Sequence, residues 1–217
     1  MARVLDISAG RVRAGWNVRR RDWGHVMPRA DNLYELPSDL PVPVDDGACG
    51  HLPGMRMPAV ALPSTAGRLV DLAGLPGRTV LYCYPRTGKP DEPSPPGWNE
   101  IPGARGCTPQ SCAFRDRHSE LQAQGVRVFG LSTQSTADQR EAAIRLRLPC
   151  ELLSDANLTF ARALRLPSFA LEGRNYVKRL TLVIDDGVIE HVFYPVFPPD
   201  TNAGEVIRWL SARQRPA

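Results

Sequence analysis

Two of the five cysteines in this 217-residue chain stand five positions apart, as Cys107 and Cys112 in the stretch GARGCTPQSCAFRD. A cysteine is a nucleophile through its thiolate, and the first turn of a helix favours that form with unpaired N–H groups and the positive end of the helix dipole. Thr108 and Pro109 suit such a start, proline because its missing N–H would have no helical partner there. Cys107 is therefore placed for activation. In an intact helix Cys112 would stand about 7.5 Å further along the axis and about 140° around it. The two sulfurs could then bond only if the first turns unwound. The same pair could instead be buried small hydrophobes or two metal ligands, although metal pairs usually stand two to four residues apart with a second pair elsewhere. Cys49, Cys83 and Cys150 are each isolated in the sequence. Thiol–disulfide exchange of the Cys-x-x-Cys kind needs a narrower spacing.

What must position these cysteines is an alternation of strands and helices. From Ala59 onward AVAL, Gly67 to Leu72 and RTVLYCYP are short strands divided by Gly and Pro turns. The β-branched and aromatic run Thr79 to Tyr84 has the character of a buried central strand. Cys107 to Gln124 is expected as one helix stopping at Gly125, followed by VRVFGLS as a strand and Thr136 to Leu146 as a helix. Glu151 to Ser154 is a short strand, and Asn157 to Leu166 a helix capped by Asp155 or Asn157. NYVKRLTLVIDDGVIEHVFYP is expected as one hairpin turning at Asp186-Gly187, with a last helix over Gly204 to Arg213. Such an order implies an α/β fold with a central mixed sheet flanked by helices.

Residues 1 to 57 carry no clear period and are broken repeatedly by Pro and Gly, so an irregular N-terminal extension is expected there, with a single domain over 58 to 217. Met1 to Val26 holds six Arg against Asp6 and Asp22, which alone accounts for the net charge of +4. The remaining body is neutral, a poor partner for a phosphate backbone, so nucleic-acid binding is not expected. Of the 27 basic residues only Lys89 and Lys178 are lysine. With the internal Met27, this suggests a GC-rich source and a misassigned start, so that residues 1 to 26 need not be native. No apolar run approaches a membrane span and no secretory signal is evident, giving the expectation of a cytoplasmic protein that does not enter membranes. An odd number of cysteines argues against a static disulfide framework.

The YP that ends the strand at Pro85, the GCTPQSCAFRD run and KRLTLVIDDGVI together resemble the peroxiredoxins, specifically the bacterioferritin-comigratory or Q type, over roughly Met57 to Leu210. The resemblance implies a thioredoxin-like fold and an atypical two-cysteine thiol peroxidase acting on hydrogen peroxide and organic hydroperoxides. It implies that Cys107 is peroxidatic, that Cys112 resolves its sulfenic acid as an intramolecular disulfide, and that Arg179, opening a later strand, borders the pocket. It further implies a thioredoxin-type dithiol reductant, no metal, haem or flavin cofactor, and a monomer or homodimer. A peroxide-responsive redox sensor and a thiol–disulfide oxidoreductase are the competing functions.

The family pattern sets Pro, three residues, Thr, two residues, Cys at the active site, and here it is interrupted. Ala104 stands where Thr would fall, and Pro85 precedes Cys107 by 22 positions, so the tract GKPDEPSPPG at residues 88 to 97 behaves as part of an insertion of about 15 residues. Thr87 is the candidate for the displaced hydroxyl and Thr108 the second. The insertion's position suggests a cover over the pocket that selects substrate size. Arg115, Asp116 and Arg117 are expected on a solvated helix face, and His118, Glu120 and His191 as surface or structural residues. Cys83 and Cys150 are expected in the core, while Cys49, beside His51, could be an alternative resolving thiol if its segment moves.

Overall fold

The computed structural model describes residues 32 to 213; the expectation about residues 1 to 26 lies outside them. The central sheet is built from β3 (Arg78–Cys83), β4 (Arg127–Ser132), β5 (Glu151–Ser154), β8 (Leu180–Asp185) and β9 (Val188–Phe193). Their order is β5-β4-β3-β8-β9. β3 pairs parallel with β4 and antiparallel with β8, while β4 pairs parallel with β5, so the sheet is mixed as expected. The run Thr79 to Cys83 is fully enclosed because β3 has a strand on each side and cover on each face. One face carries Leu81, Cys83, Leu131, Leu153 and Leu182. The other carries Val80, Tyr82, Val128, Leu152 and Val183 under Phe114 and the last helix. This is the thioredoxin-like arrangement.

Two small ribbons flank the sheet: β1 (Ala61–Pro63) with β2 (Leu69–Asp71), and β6 (Ser168–Leu171) with β7 (Arg174–Val177). The second corrects the single hairpin expected from Asn175 to Pro195. Asn175 to Val177 turns back at Glu172-Gly173, both at positive φ, and pairs with Ser168 to Ala170. Only Leu180 onward joins the central sheet. The Asp186-Gly187 turn is present, and glycine is required there, since a Cβ on residue 187 would come 2.6 Å from the carbonyl oxygen of Ala73.

The helices are α1 (Cys107–Asp116), α2 (His118–Ala123), α3 (Thr136–Arg145), α4 (Thr159–Ala163) and α5 (Asn202–Ser211). The helix expected from Cys107 to Gln124 is thus two, separated at Arg117, whose φ of −106° and ψ of 12° leave the helical region. α3 begins at the Ser135 cap, whose hydroxyl accepts from Asp138 N at 3.1 Å. The helix over 157 to 166 shortens to α4. Asp155 rather than Asn157 holds its start, accepting from Phe160 N at 3.0 Å and Ala161 N at 2.8 Å.

Residues 32 to 57 form no helix or strand, yet their C-terminal part is packed into the body. Cys49, Leu52 and Met57 join the core. Met57 N donates to Gly187 O at 2.8 Å and Gly54 N to Ile189 O at 2.8 Å. Asp46 accepts from Lys178 Nζ at 2.7 Å and from the Tyr194 hydroxyl at 2.8 Å, contacts that hold its carboxyl at about 2. Among the described residues, no helix is long and apolar enough to cross a membrane.

Candidate active site

Cys107 is the first residue of α1 and is 3 % exposed. The chain enters the helix through Gly106 at φ 100°, where a Cβ would strike Pro199 and lie 2.8 Å from Leu36 Cδ2. Only glycine permits both that turn and that contact. The first helical bond runs from Gln110 N to Gly106 O at 3.0 Å. The N–H groups of Cys107 and Thr108 therefore lie outside the helix's own ladder, and Pro109 sacrifices no bond.

Arg179 enters the site from the residue just before β8 and is itself 3 % exposed. Its Nη2 lies 3.1 Å from Cys107 Sγ and donates to the carbonyls of Arg105 at 3.0 Å and Ala104 at 3.3 Å. Its Nη1 donates to Gln110 Oε1. These carbonyl and amide oxygens are neutral, so the group among these partners able to carry a compensating anion is the Cys107 thiolate. A buried cation without an anion costs several kcal/mol. The pairing therefore sets a fixed positive charge beside Sγ. In the thiol form Sγ–H is directed to Ala104 O at 3.6 Å. Ala104, which stands where a hydroxyl was expected, thus contributes its backbone carbonyl.

A further layer fixes Arg179. Gln110 Nε2 donates to Asn202 Oδ1 at 3.1 Å, and the Thr181 hydroxyl donates to the same oxygen at 2.7 Å. All three residues are fully buried. Helix α1, strand β8 and the start of α5 are thereby tied to the guanidinium. Neither Gln110 nor Asn202 was expected at the site from the sequence. The signal for Gln110 is present, since a residue three positions after the nucleophile lies on the same helix face. Asn202 leaves no local mark.

The space over Cys107 is about 20 Å³ and is bordered by Thr108, Arg105, Leu33 and residues of the insertion, among them Gly88, Ser94, Pro95 and Trp98. Thr87 does not border it. Its hydroxyl donates to Gln134 Oε1 at 3.2 Å, its N–H donates to the same oxygen at 2.8 Å, and Gln134 Nε2 returns a bond to its carbonyl at 3.2 Å. The insertion carries the chain away after Thr87, so this hydroxyl is committed to the β4–α3 connection. Pro85 is buried at the bend after β3 and is likewise not at the border of the space.

Cys112 is half-buried on α1, and burial pushes its thiol above the ordinary range despite the nearby Arg115. All five cysteines are free. Burial holds the Cys49 thiol up at about 12 and Cys150 at about 11, and raises Cys83 as well. Cys49 lies in the core, not on a free arm. His51 Nε2 is 2.9 Å from Leu164 O, a structural contact. His191 stacks on Trp209 at 4.7 Å between ring centres and does not border the space over Cys107. Among the described residues no group of three or more His, Cys, Asp or Glu side chains could hold a metal ion.

The redoxin family model matches residues 52 to 207. Peroxiredoxin Q, chloroplastic, of Oryza sativa subsp. japonica is 31 % identical over 170 residues, covering 76 % of this chain and 69 % of the relative. A putative peroxiredoxin bcp of Coxiella burnetii is 29 % identical over 158 residues, covering 71 % and 95 %. The crystal structure of peroxidoxin BcpB from Mycobacterium tuberculosis superposes with a TM-score of 0.63 at 29 % identity, covering 76 % of this chain and all of that one.

Proposed function

We propose, from the premise that this chain belongs to the redoxin family and within it to the Q-type peroxiredoxins, that Cys107 reduces hydrogen peroxide and organic hydroperoxides and is resolved by Cys112. The general activity, thiol peroxidase, comes with the family; the residues, substrates and reductant are this proposal. The observation that carries it is the 3.1 Å approach of Arg179 Nη2 to Cys107 Sγ at a buried helix start.

The Cys107 thiolate attacks the terminal oxygen of the peroxide in line with the O–O bond. An S–O bond forms, the O–O bond breaks, and the electron pair leaves on the distal oxygen, which takes a proton to become water or an alcohol. Charge growing on that oxygen needs fixed donors. Arg179, the free first-turn N–H groups and the Thr108 hydroxyl are those donors. Gln110 and Asn202 hold the guanidinium in place.

Cys107 is left as a sulfenic acid. The Cys112 thiol displaces its hydroxyl as water, forming the disulfide. The first turns of α1 must open for this, because helical spacing separates the two sulfurs. The break at Arg117 confines the opening to a ten-residue helix and spares α2. An external dithiol of the thioredoxin type then exchanges with the disulfide and restores both thiols.

Mass spectrometry after one equivalent of peroxide tests the sequence of steps. Wild type should lose two hydrogens and yield a peptide cross-linked between Cys107 and Cys112, whereas Cys112→Ala should retain one added oxygen on Cys107. A cross-link between Cys107 and Cys49, or normal dithiol-driven turnover by Cys112→Ala, would remove Cys112 as the resolving residue.

A further inference from the structure

The roof over Cys107 is made by two segments that come from far apart in the chain. One is the strap at residue 33; the other is the insertion between Pro85 and Cys107. Trp98 anchors the insertion. It is 4 % exposed, meets Tyr176 edge-on at 5.1 Å and Phe169 at 5.8 Å, and carries the Arg86 guanidinium 5.8 Å from its ring centre. Lys89 pairs with Glu92 within the insertion at 3.2 Å and ties the insertion to Asp138 of α3 at 2.8 Å. The strap is held by Arg105, whose Nη2 donates to Asn32 O at 2.6 Å.

The space that remains directly over Cys107 is about 20 Å³, and it opens outward between these segments. By the same measure one water needs about 10–15 Å³. A small peroxide fits directly beneath the roof, whereas a tertiary alkyl or aryl group must extend outward past Leu33, Ser94, Pro95 and Trp98. We infer that Leu33, Ser94, Pro95 and Trp98 are specificity-determining residues that favour hydrogen peroxide, and that bulky organic hydroperoxides react at Cys107 more slowly because their substituents must pass these side chains. The inference rests on the peroxidase reading and ranks its two substrate classes.

Single-turnover stopped-flow oxidation of the full-length reduced protein tests it, with hydrogen peroxide and cumene hydroperoxide as the two probes. Wild type should oxidise with hydrogen peroxide faster by about tenfold or more, the scale on which an apolar wall discriminates. Leu33→Ala combined with Pro95→Ala should raise the ratio of the cumene to the hydrogen peroxide rate constant by about tenfold. Trp98→Ala, which removes the anchor, should move it in the same direction, with circular dichroism confirming the fold of both variants. Equal wild-type rates for the two peroxides, or a ratio unmoved in folded variants, would overturn the roof alone. A folded wild type that reacts with neither peroxide would remove the peroxidase reading, and this inference with it.

Discussion

Arg179 Nη2 lies 3.1 Å from Cys107 Sγ, although 72 positions separate the two residues. The contact joins the start of a helix to the start of a central strand. It sets a buried guanidinium directly beside a buried sulfur, and a charge in such a place is costly without a partner. Replacing Arg179 with Met should lower the rate of Cys107 oxidation by about 10²–10³-fold, the usual loss for one charge-stabilising donor. Arg179→Lys should recover only part of it, because an ammonium cannot reach Gln110, two carbonyls and the sulfur together. Stopped-flow oxidation at fixed pH reads both variants, and a loss of only a few fold in Arg179→Met would speak against the pairing.

The two candidate hydroxyls separate cleanly. Thr108 borders the space over Cys107, whereas Thr87 is bonded to Gln134. Thr108→Val should slow peroxide reaction by about tenfold, the worth of one hydrogen bond of about 1.4 kcal/mol. Thr87→Val should affect thermal stability more than rate. The opposite pattern would return the role to Thr87.

Alkaline pH should weaken the fold. Burial holds Cys49 at about 12 and Cys150 at about 11, against about 8.5 for a thiol in an unfolded chain. Above the unfolded value the unfolded chain has released protons that the folded one retains, so unfolding becomes easier as pH rises. The stabilising contribution is complete below about pH 8.5 and falls by at most about 1.4 kcal/mol per thiol per pH unit above it. Urea midpoints of the reduced protein should be lower at pH 10 than at pH 8, and Cys49→Ala with Cys150→Ala should flatten the difference. A midpoint unchanged between those pH values in wild type would contradict this.

Much of the fold was legible because it is written in local runs. Thr79 to Cys83, Val128 to Ser132 and Leu180 to Ile184 are apolar enough to demand enclosure, and Asp186-Gly187 marks its own turn. Cys107 was legible for the same reason, since Gly, Cys, Thr and Pro in that order describe a helix start. What escaped depends on partners distant in the chain. The β6–β7 ribbon took Asn175 to Val177 from the long hairpin because Ser168 to Ala170 offers it an edge. Residues 49 to 57 look like loose leader, yet Cys49, Leu52 and Met57 fill the core beside β9. The roles of Gln110 and Asn202 exist only once α1, β8 and α5 meet. Thr87 looked available until the fold placed Gln134 against it.

The central claim is that peroxide chemistry begins at Cys107. Peroxide consumption by wild type and by Cys107→Ala, each with an excess of a thioredoxin-type dithiol system, tests it most directly. Wild type should turn over steadily, and a folded Cys107→Ala should consume no peroxide above background. Continued dithiol-dependent consumption of peroxide by Cys107→Ala would contradict it.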